Sequence, residues 1–474
     1  MKKSNSMTLV LGASGYIGSN LVAKLCKEGV PVRAAARRVD ALKSKNWPGV
    51  EVCYADAESL ESMQSVLAGI DTAYYLIHSM NAGKGLVDRE RLCAINFAEA
   101  AIQAGVSYVI YMGALMPRSH LSAHMQARLN TGQVLREHGL TVTEIRAGIV
   151  VGPGSAAYEV IRDLVNYLPI MITPKWVHTR SPPIALSNLL TYLSELPQHP
   201  KLFGEILEVA GPEQLSYRQL MMQYADIVKR NIRIIPVPVM TPKLSSYWLR
   251  LVTTVPINLA RSLVDGLSHT LIADDRKIRE AIPQTLLTYR QAVEQALKDD
   301  LNFEVYSRWI EGAIQFRDFH SDYSFYAKQC VVERDGTIDS LELWVRIKSI
   351  GGKNGYPALN WLWKLRGWID WSIGGTGRNI GRAHKDIRVG DTIDSWRVVA
   401  FEEGLSLSLL MTMKAPGAGV LEITCTKTET GSRVKIAALW HPANIFGLIY
   451  WYTLLPVHKF LFIRTVHNLL KANN

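Results

Sequence analysis

Short apolar runs alternate with segments of helical periodicity along the first half of the chain. Thr8–Leu11 predicts a strand, and the apolar residues that follow it at helical spacing, before Gly29, predict a helix. The same alternation predicts strands at Val30–Ala36, Val50–Ala55, Thr72–Ile77, Tyr108–Met112 and Val142–Arg146, with helices near 88–104 and 121–138. Strands that alternate with helices indicate an α/β fold with a parallel, doubly wound sheet, which binds its ligands at the carboxyl ends of the strands.

The pattern changes twice further along the chain. Residues 153–300 are mixed, with a helix at Ala156–Leu168, a strand at Leu207–Val209 and a helix from Ser216. They predict a substrate lobe that belongs to a first domain of residues 1–300. Nine of the twelve tryptophans lie beyond residue 300, where glycine turns separate β-like runs. Residues 301–474 therefore predict a second, α+β domain.

The order of elements in the second domain resembles the helix-grip architecture of the START and Bet v 1-like superfamily. A strand, a helix and a Trp-rich segment precede four strands and a long apolar helix after Pro442. The resemblance implies an apolar cavity for a small hydrophobic molecule such as a lipid, sterol or quinone. Trp361, Trp363, Trp396 and Trp440 are expected to line it. A solid core filled by tryptophan explains the same pattern.

Composition and charge restrict the range of partners. With 48% hydrophobic and 20% charged residues, the chain of 474 residues is not disordered. The net charge of +11 is spread evenly, with 32 basic and 26 acidic residues in 1–302 and 21 and 16 in 303–474, so we predict no nucleic-acid partner. Five cysteines without a CxxC pair predict no metal site and favour a cytoplasmic location. The N-terminal residues do not have the pattern of a signal peptide.

Three glycines, Gly12, Gly15 and Gly18, connect the first predicted strand to the first predicted helix. Glycine there allows a tight turn, a close approach of a pyrophosphate to the helix amides, and close helix–strand packing. The motif predicts an NAD(P) site, and a tight turn without ligand is the alternative. The residues expected to bind the cofactor are Gly12, Ser14, Gly15, Tyr16, Ile17, Gly18, Arg37, Arg38, Asp56, His78, Ser79 and Gly113.

The residues after the second and third strands bear on the choice of cofactor. Arg37 and Arg38 stand where an NAD-preferring protein places an acid, and arginine suits a 2′-phosphate, so NADP(H) is favoured over NAD(H). Solvated loop charges are the alternative. Asp56 follows the third strand, where a carboxylate accepts from the adenine amino group or, as an alternative, forms a turn.

The motifs of residues 7–300 resemble the short-chain dehydrogenase/reductase superfamily, in its extended and atypical branches. The resemblance rests on the glycine triplet, Asp56, Asn96, and the segments Arg146–Gly154, Pro183–Ala185 and Glu208–Glu213. It implies a Rossmann domain with an extended-branch substrate lobe. The whole chain is similar to a bacterial family in which such a domain precedes a C-terminal domain of unknown function.

The catalytic pair of that superfamily is missing from the chain. Its tyrosine has a lysine four residues later, which lowers the pKa of the phenol, but no tyrosine here has that neighbour. His124 and Arg128 have the same spacing, and Gly113 and Ala114 replace the usual serine. His124 and Arg128 are therefore the candidate catalytic residues. A solvated helix face or contacts to ribose and phosphate are the alternatives.

The long apolar stretch Phe446–Ile463 has two interpretations. It contains Pro456, His458 and Lys459 and is shorter than a typical span, so a buried closing helix is one of them. Peripheral contact with the inner membrane is the other. For the whole protein, the sequence predicts either an NAD(P)H-dependent oxidoreductase acting on a hydrophobic carbonyl or quinone, or a non-catalytic protein that senses NADP(H) and binds a ligand.

Overall fold

The computed structural model divides the chain into two compact units, Met1–Asp300 and Leu301–Asn474. It describes residues 7–37, 39–43, 45, 47–77, 85–117, 121–237, 269–309, 328–372, 387 and 391–471. The apolar pattern of residues 247–271 predicts two further helices, and this segment lies outside the described residues apart from its last three positions.

A parallel sheet of seven strands forms the centre of the first unit within the described residues. Its strands are β1 Met7–Leu11, β2 Val32–Ala36, β3 Glu51–Tyr54, β4 Ile70–Tyr75, β5 Tyr108–Ala114, β6 Val142–Ala147 and β11 Ile206–Val209. They lie in the order β11-β6-β5-β4-β1-β2-β3. The order reverses between β1 and β4, which is where such sheets bind ligands. The doubly wound parallel sheet predicted from the sequence is confirmed.

Helices cover both faces of this sheet, so its strands are apolar on both sides. The helices that begin in the first unit are α1 Tyr16–Lys27, α2 Val39–Lys43, α3 Leu60–Leu67, α4 Leu86–Ala104, α5 Ala123–Glu137, α6 Ala156–Tyr167, α7 Leu186–Glu195, α8 Tyr217–Ile227, α9 Arg276–Ala281 and α10 Tyr289–Trp309, the last of which continues past Asp300. Val10 packs in one buried cluster with Leu21 of α1 and Leu189 of α7. Leu9 and Leu11, which point to the opposite face, pack with Phe97 of α4.

The segment from α7 to β11 lies within the predicted lobe sequence and joins the central sheet. Helix α7 packs on the sheet, and β11, which includes the strand predicted at Leu207–Val209, pairs in parallel with β6. The last strand of the sheet therefore comes after a stretch of lobe sequence, an arrangement that local pattern does not reveal. Short pairs complete the lobe: β7 Val150–Val151 with β10 Ile184–Ala185, β9 Arg180–Ser181 with β12 Leu215–Ser216, and β8 Ile170–Pro174 with β13 Arg233–Val237.

A buried carboxylate lies between β5, β6 and α5. Glu144 has no exposed surface, and its two oxygens pair with Arg136 Nη1 at 2.8 Å and Arg146 Nε at 2.6 Å. A Cβ atom on Gly113 or Gly132 would lie 2.8 or 2.6 Å from these same oxygens. Glycine is therefore needed at both positions because the Glu144 side chain fills the space.

The second unit is an antiparallel sheet with helices, which confirms the predicted α+β class. Its strands are β14 Lys328–Gly336, β15 Thr392–Ile393, β16 Trp396–Glu402, β17 Ser406–Met411, β18 Gly417–Thr428 and β19 Gly431–Pro442, in the order β14-β19-β18-β17-β16-β15. Its helices are α11 Ser340–Lys348, α12 Asn360–Ser372 and α13 Ile445–Leu470. Helix α13 packs on β14 and β19 through Trp451, Phe462 and Val466. The helix-grip resemblance stays a prediction from the order of elements.

The buried ion pairs of Glu144 generate a stability prediction. Glu144→Gln removes the buried charge and keeps the shape, which leaves two partly buried arginines without their anion. We expect the free energy of unfolding of the first unit to fall by about 3 kcal/mol in urea titrations of the full chain. Glu137→Gln, at an exposed position on α5, is the control and should change it by less than about 0.5 kcal/mol. Equal effects of the two substitutions would contradict this account of Glu144.

Candidate functional site

The glycine turn after β1 brings three backbone segments closer together than side chains allow. Gly12 has φ +90°, and a Cβ there would lie 3.0 Å from the carbonyl group of Leu76. A Cβ on Gly18 would lie 2.3 Å from Gly12 O, and one on Gly15 would lie 3.2 Å from the same oxygen. The turn is held to the sheet by Gly12 N–H, which donates to Ala35 O at 3.0 Å. The three glycines thus keep the start of α1 against the end of β1.

The start of helix α1 is open to an anion. Its N-cap is Gly15, which offers no side-chain cap, and its first turn contains no acidic residue. The first amide groups of a helix lack partners within the helix and carry partial positive charge, so they favour a negatively charged ligand. Gly15 itself is exposed. The cradle therefore has the shape and the polarity that a pyrophosphate requires.

A cavity of about 170 Å³ extends from this turn across the ends of β2, β3 and β4. Five of the predicted cofactor residues line it, namely Gly12, Ser14, Gly15, Arg37 and Asp56. The other lining residues are Leu11, Ala36, Ala55, Ala57, Glu58, Leu76, Ile77 and Cys93. The small apolar residues leave room for a flat ring, while Arg37 and Asp56 supply charge at the rim.

Asp56 also has a structural role at the start of α3. Its Oδ1 accepts from Glu58 N–H at 3.1 Å, and its own N–H donates to Ser62 Oγ at 3.0 Å. Asn96, buried on α4, donates from Nδ2 to Ala57 O at 2.9 Å. These bonds fix the loop after β3 that forms one wall of the cavity. Burial raises the pKa of the Cys93 thiol to about 11, so it is neutral at neutral pH.

Four other predicted cofactor residues, which the structure describes, do not line this cavity: Tyr16, Ile17, Gly18 and Gly113. Tyr16 packs against the glycines after β7, where a Cβ on Gly152 would lie 2.6 Å from its hydroxyl oxygen. Ile17 packs in the core, and Gly18 is buried at the helix–turn contact. Gly113 packs against the Glu144 carboxylate, and its assignment as a cofactor residue stays a prediction. Arg38, His78 and Ser79 lie outside the described residues.

The two candidate catalytic residues lie on α5. His124 is half-buried in the first turn of the helix. Arg128 donates from Nη1 to the carbonyl oxygens of Met112 and Gly113 at 3.1 and 3.2 Å. The guanidinium therefore braces the carboxyl end of β5, a contact that suits a positioning residue. The catalytic assignment of His124 and Arg128 stays a prediction.

Two tyrosines of the parallel sheet, Tyr75 and Tyr111, are poor replacements for the missing acid. Burial raises the pKa of Tyr75 and Tyr111 well above the ordinary value, and Tyr111 donates its hydroxyl to Arg128 O at 2.9 Å. A proton donor for a carbonyl needs a pKa near the working pH. These phenols lack it, which agrees with the missing lysine.

A larger cavity, of about 840 Å³, lies in the second unit between α12 and α13. Its lining is mostly apolar and includes Leu362, Trp363, Leu365, Ile369, Leu454, Val457 and Leu461, with Arg366, Asp370, Lys414, Tyr450 and His458 as the polar and charged members. Cavities of this size that combine an apolar wall with a few polar groups are typical small-molecule sites. The helix-grip resemblance implied an apolar cavity, and Trp363 is the one of these lining residues that was predicted from the sequence to line it.

The polar groups of this cavity have unusual partners. The Arg366 guanidinium donates to the sulfur atoms of Met413 and Met411 at 3.2 and 3.3 Å and to the Tyr450 hydroxyl. Asp370 is buried, with Oδ1 accepting from Lys414 N–H at 2.6 Å and Oδ2 without a hydrogen-bond partner. Such a buried acceptor is costly unless a ligand or water supplies a donor. Burial and the nearby Arg366 lower the pKa of His458 to about 4, so its ring is neutral at neutral pH.

The sequence analysis missed this polar cluster and was wrong about one tryptophan. Arg366 and Asp370 are four residues apart in a Trp-rich helix, a spacing that places both on one face with Trp363. That signal was available, but His458 lies far along the chain and only the fold brings it near. Trp361 is 61% exposed and does not line the cavity. Trp363 lines the large cavity, and Trp396 and Trp440 line a smaller one of about 60 Å³ beside it.

Two family models match the chain. Residues 12–167 match the NAD(P)H-binding family, and residues 325–465 match a family described as protein of unknown function (DUF2867). The glycine cradle and its cavity lie within the first match. The first unit therefore carries an NAD(P)-binding Rossmann domain, as the sequence resemblance implied, and the second carries a domain whose role is not assigned.

Curated relatives are distant and match only part of the chain. Sterol demethylase protein B from Methylococcus capsulatus is 27% identical over 172 residues, which are 31% of this chain and 52% of that protein. Divinyl chlorophyllide a 8-vinyl-reductase from Cucumis sativus is 22% identical over 222 residues, 43% of this chain and 52% of the relative. The chain thus spans about half the length of the curated relatives it matches.

Solved structures support the fold of the first unit. A triphenylmethane reductase from Citrobacter is 18% identical with a TM-score of 0.51, covering 62% of this chain and 100% of that one. An NADPH-dependent quinone oxidoreductase from Escherichia coli, solved with NADPH, is 19% identical with the same TM-score, covering 61% of this chain and 100% of that one. At such identities the likeness shows the fold alone, a parallel sheet of the Rossmann type with helices on both faces.

The depressed pKa of His458 generates a pH prediction. In the unfolded chain the imidazole takes up a proton near pH 6.5, whereas in the folded chain it does so near pH 4. Between these values the unfolded state binds more protons, so stability falls as the pH is lowered. In urea titrations, the free energy of unfolding of the parent chain should fall between about pH 7 and about pH 5. We expect the fall in His458→Gln to be smaller by about 1–2 kcal/mol. His467→Gln, exposed on the same helix, should behave like the parent. The same loss in His458→Gln and the parent would contradict the buried, neutral imidazole.

Proposed function

We propose, from the NAD(P)H-binding domain at residues 12–167, that the protein is an oxidoreductase that reduces a hydrophobic carbonyl compound or quinone. The observation that carries the proposal is the side-chain-free cradle of Gly12, Gly15 and Gly18 at the carboxyl end of β1. It opens into a cavity at the point where the strand order reverses. The experiments at the end of this subsection test substrate binding and turnover.

The residues present fit a dinucleotide. The amides at the start of α1 hold the pyrophosphate, Arg37 pairs with a 2′-phosphate, and Asp56 keeps one carboxylate oxygen for the adenine while the other holds its own turn. The exposed position of Arg37 allows it to reach a phosphate at the rim of the cavity. We therefore propose NADP(H) as the preferred cofactor. When bound, the reduced dinucleotide supplies a hydride.

The chain itself has to supply a proton to the oxygen that becomes a hydroxyl. His124 is the proposed donor, because histidine exchanges protons near neutral pH and lies at the start of α5. Arg128 is a positioning residue in this proposal, since its guanidinium is occupied by the carbonyl oxygens at the end of β5. Hydride addition to carbon and proton addition to oxygen together complete the two-electron reduction.

The substrate class is supported by the similar proteins. The names of two solved neighbours are those of a quinone oxidoreductase and a triphenylmethane dye reductase, and one curated relative is named a vinyl-reductase. Quinones and aryl dyes are largely apolar. A hydrophobic substrate for this chain is proposed on that ground.

A second candidate function is a non-catalytic protein that binds NADP(H) and a hydrophobic ligand. The missing Tyr/Lys pair favours it, and so does the cavity of about 840 Å³ in the second unit. Asp370 Oδ2 suits a ligand that has a hydroxyl or amide donor on an apolar body. In this function the nucleotide binds tightly and is not consumed.

The two functions are separated by measuring NADPH oxidation with purified full-length protein and a panel of quinones and apolar aldehydes. We expect oxidation that depends on the second substrate. The His124→Ala variant should lose at least about ten-fold in kcat, because general acids usually contribute a hundred-fold or more. Saturable NADPH binding without oxidation of the cofactor by any compound in the panel would favour the binding protein instead.

His138→Ala is the matched control for this experiment. His138 is the C-cap residue at the opposite end of α5, where its Nδ1 lies 2.8 Å from Val134 O. It should leave kcat unchanged. An active enzyme that keeps its rate in His124→Ala would remove His124 from the mechanism.

Arg37 provides the test of cofactor choice. Arg37→Ala should weaken NADPH binding by about ten-fold or more, since a charge-assisted hydrogen bond to phosphate is worth about 1.5–3 kcal/mol, and should leave NADH binding almost unchanged. Arg218→Ala, an exposed arginine on α8, controls for the loss of one positive charge. Calorimetric titration with both nucleotides measures the effects. Equal losses for NADPH and NADH would refute recognition of the 2′-phosphate.

A further inference from the structure

We propose that the second unit docks on the surface of a lipid bilayer that carries anionic phospholipid. The docking face consists of exposed apolar residues on two helices: Trp361, Leu365, Trp368, Ile369 and Trp371 of α12, and Phe446, Ile449, Val457, Phe460 and Ile463 of α13. The large cavity opens at this face. The inference does not depend on the proposed reductase activity.

Helix α12 is apolar on both of its faces. Leu362 and Trp363 pack toward the core, while the three tryptophans of the docking face are 56–61% exposed. The exposed residues recur at positions 361, 365, 368 and 371–372, which is one stripe of a helix. A helix in water normally turns charged residues outward, and exposed Trp with Leu or Ile is typical of helices that lie in the membrane interface. The indole ring suits that region because it is apolar with one polar N–H.

Helix α13 also has a buried apolar side and an exposed apolar side, over a greater length. Trp451, Phe462 and Val466 are buried against the sheet, and the opposite side exposes Phe446, which is 68% exposed, and the rest of its stripe. In the described part of the chain it is the helix that is long and apolar enough to cross a membrane, with 28% of its most apolar 18-residue window buried. Because the buried side of α13 belongs to the core of the unit, only its exposed side can contact a bilayer.

The charges beside this face complement an anionic surface. Among the described side chains of Asn360–Ser372, 412–418 and Ile445–Leu470, four are basic, namely Arg366, Lys414, Lys459 and Arg464, and one, Asp370, is acidic. Asp370 is buried, whereas Lys459 and Arg464 are exposed next to the apolar stripe. Basic residues near a bilayer are attracted to anionic headgroups. An acidic protein partner would pair with these basic residues, but it would not explain why three tryptophans are exposed beside them.

The cavity and the docking face share residues. Leu365, Ile369 and Val457 line the cavity and are each more than 40% exposed, so the cavity meets the surface between the two helices within the docking face. An apolar molecule dissolved in the bilayer would then enter without crossing water. Lys414, exposed and also a lining residue, stands at the same opening.

The test is flotation of the full-length chain with vesicles of phosphatidylcholine, with and without phosphatidylglycerol. We expect binding to the anionic vesicles that weakens as salt is added. Replacing Trp361, Trp368 and Trp371 together by serine should lower the partition coefficient by at least about ten-fold, because binding scales with the apolar area buried. Lys459→Gln with Arg464→Gln should weaken binding to anionic vesicles by about five-fold for each charge removed.

The matched control replaces Leu341 and Val345 by serine. These residues of α11 are 73% and 62% exposed but are not on the docking face, so the variant should float like the parent. Thermal unfolding of the same samples shows whether each variant is folded. NADPH titration shows whether the nucleotide site is unchanged, so that loss of vesicle binding is distinguished from loss of nucleotide binding. A parent chain that does not bind either vesicle, or a triple variant that binds as the parent does, overturns the proposal.

Two further outcomes would also overturn it. If sedimentation shows an oligomer that the triple tryptophan variant dissociates while vesicle binding is unchanged, the face is an interface between copies of the chain. If alkaline carbonate fails to extract the parent chain from membranes, α13 spans the bilayer and the docking is not peripheral. Release by carbonate, together with the expected flotation results, supports the proposal.

Discussion

The contact between the glycine turn and helix α1 is the constraint on which the first unit depends. A Cβ at position 18 would lie 2.3 Å from Gly12 O, so the helix can start where it does only because that atom is absent. The same contact aims the first amides of α1 at the ends of β1 and β4 and places them at the reversal of the strand order. The same turn therefore packs helix α1 on the sheet and points its amides at the proposed nucleotide site. For this reason the glycine pattern of the turn predicts both the fold and the ligand class.

The local pattern of apolar residues predicted the individual strands and helices but not every pairing between them. The alternation of apolar runs predicted the strands and helices of the parallel sheet, because strands covered on both sides are apolar throughout. It did not reveal that β11 completes the sheet after an intervening lobe, since that pairing joins residues 206–209 to 144–147. In the second unit the strand and helix order was readable, but which side of α12 is outward was not. Both sides are apolar, so composition carries no signal for the choice.

The candidate site was likewise predictable only in part. Gly12, Gly15, Arg37 and Asp56 could be read from the sequence because each lies in the loop after a strand whose end is at the shared edge of the sheet. The polar cluster of Arg366, Asp370 and His458 could not, because its members come from two helices that meet only in the folded unit. The buried ion pairs were only half visible: Arg146 is two residues from Glu144 on the same strand, but Arg136 belongs to α5 and meets the carboxylate only in the folded unit.

Glu144 also limits which active sites this scaffold can have. The superfamily that the sequence resembles has a serine near position 113, and here the Glu144 carboxylate fills the volume in which that side chain would begin. A serine introduced alone would meet a charged oxygen, and removal of the glutamate alone would leave two arginines without their anion. The two positions share one volume, so the effects of substitutions at them should be non-additive. An engineer who wished to introduce that serine would have to redesign the arginine pairs of the interior before the catalytic surface.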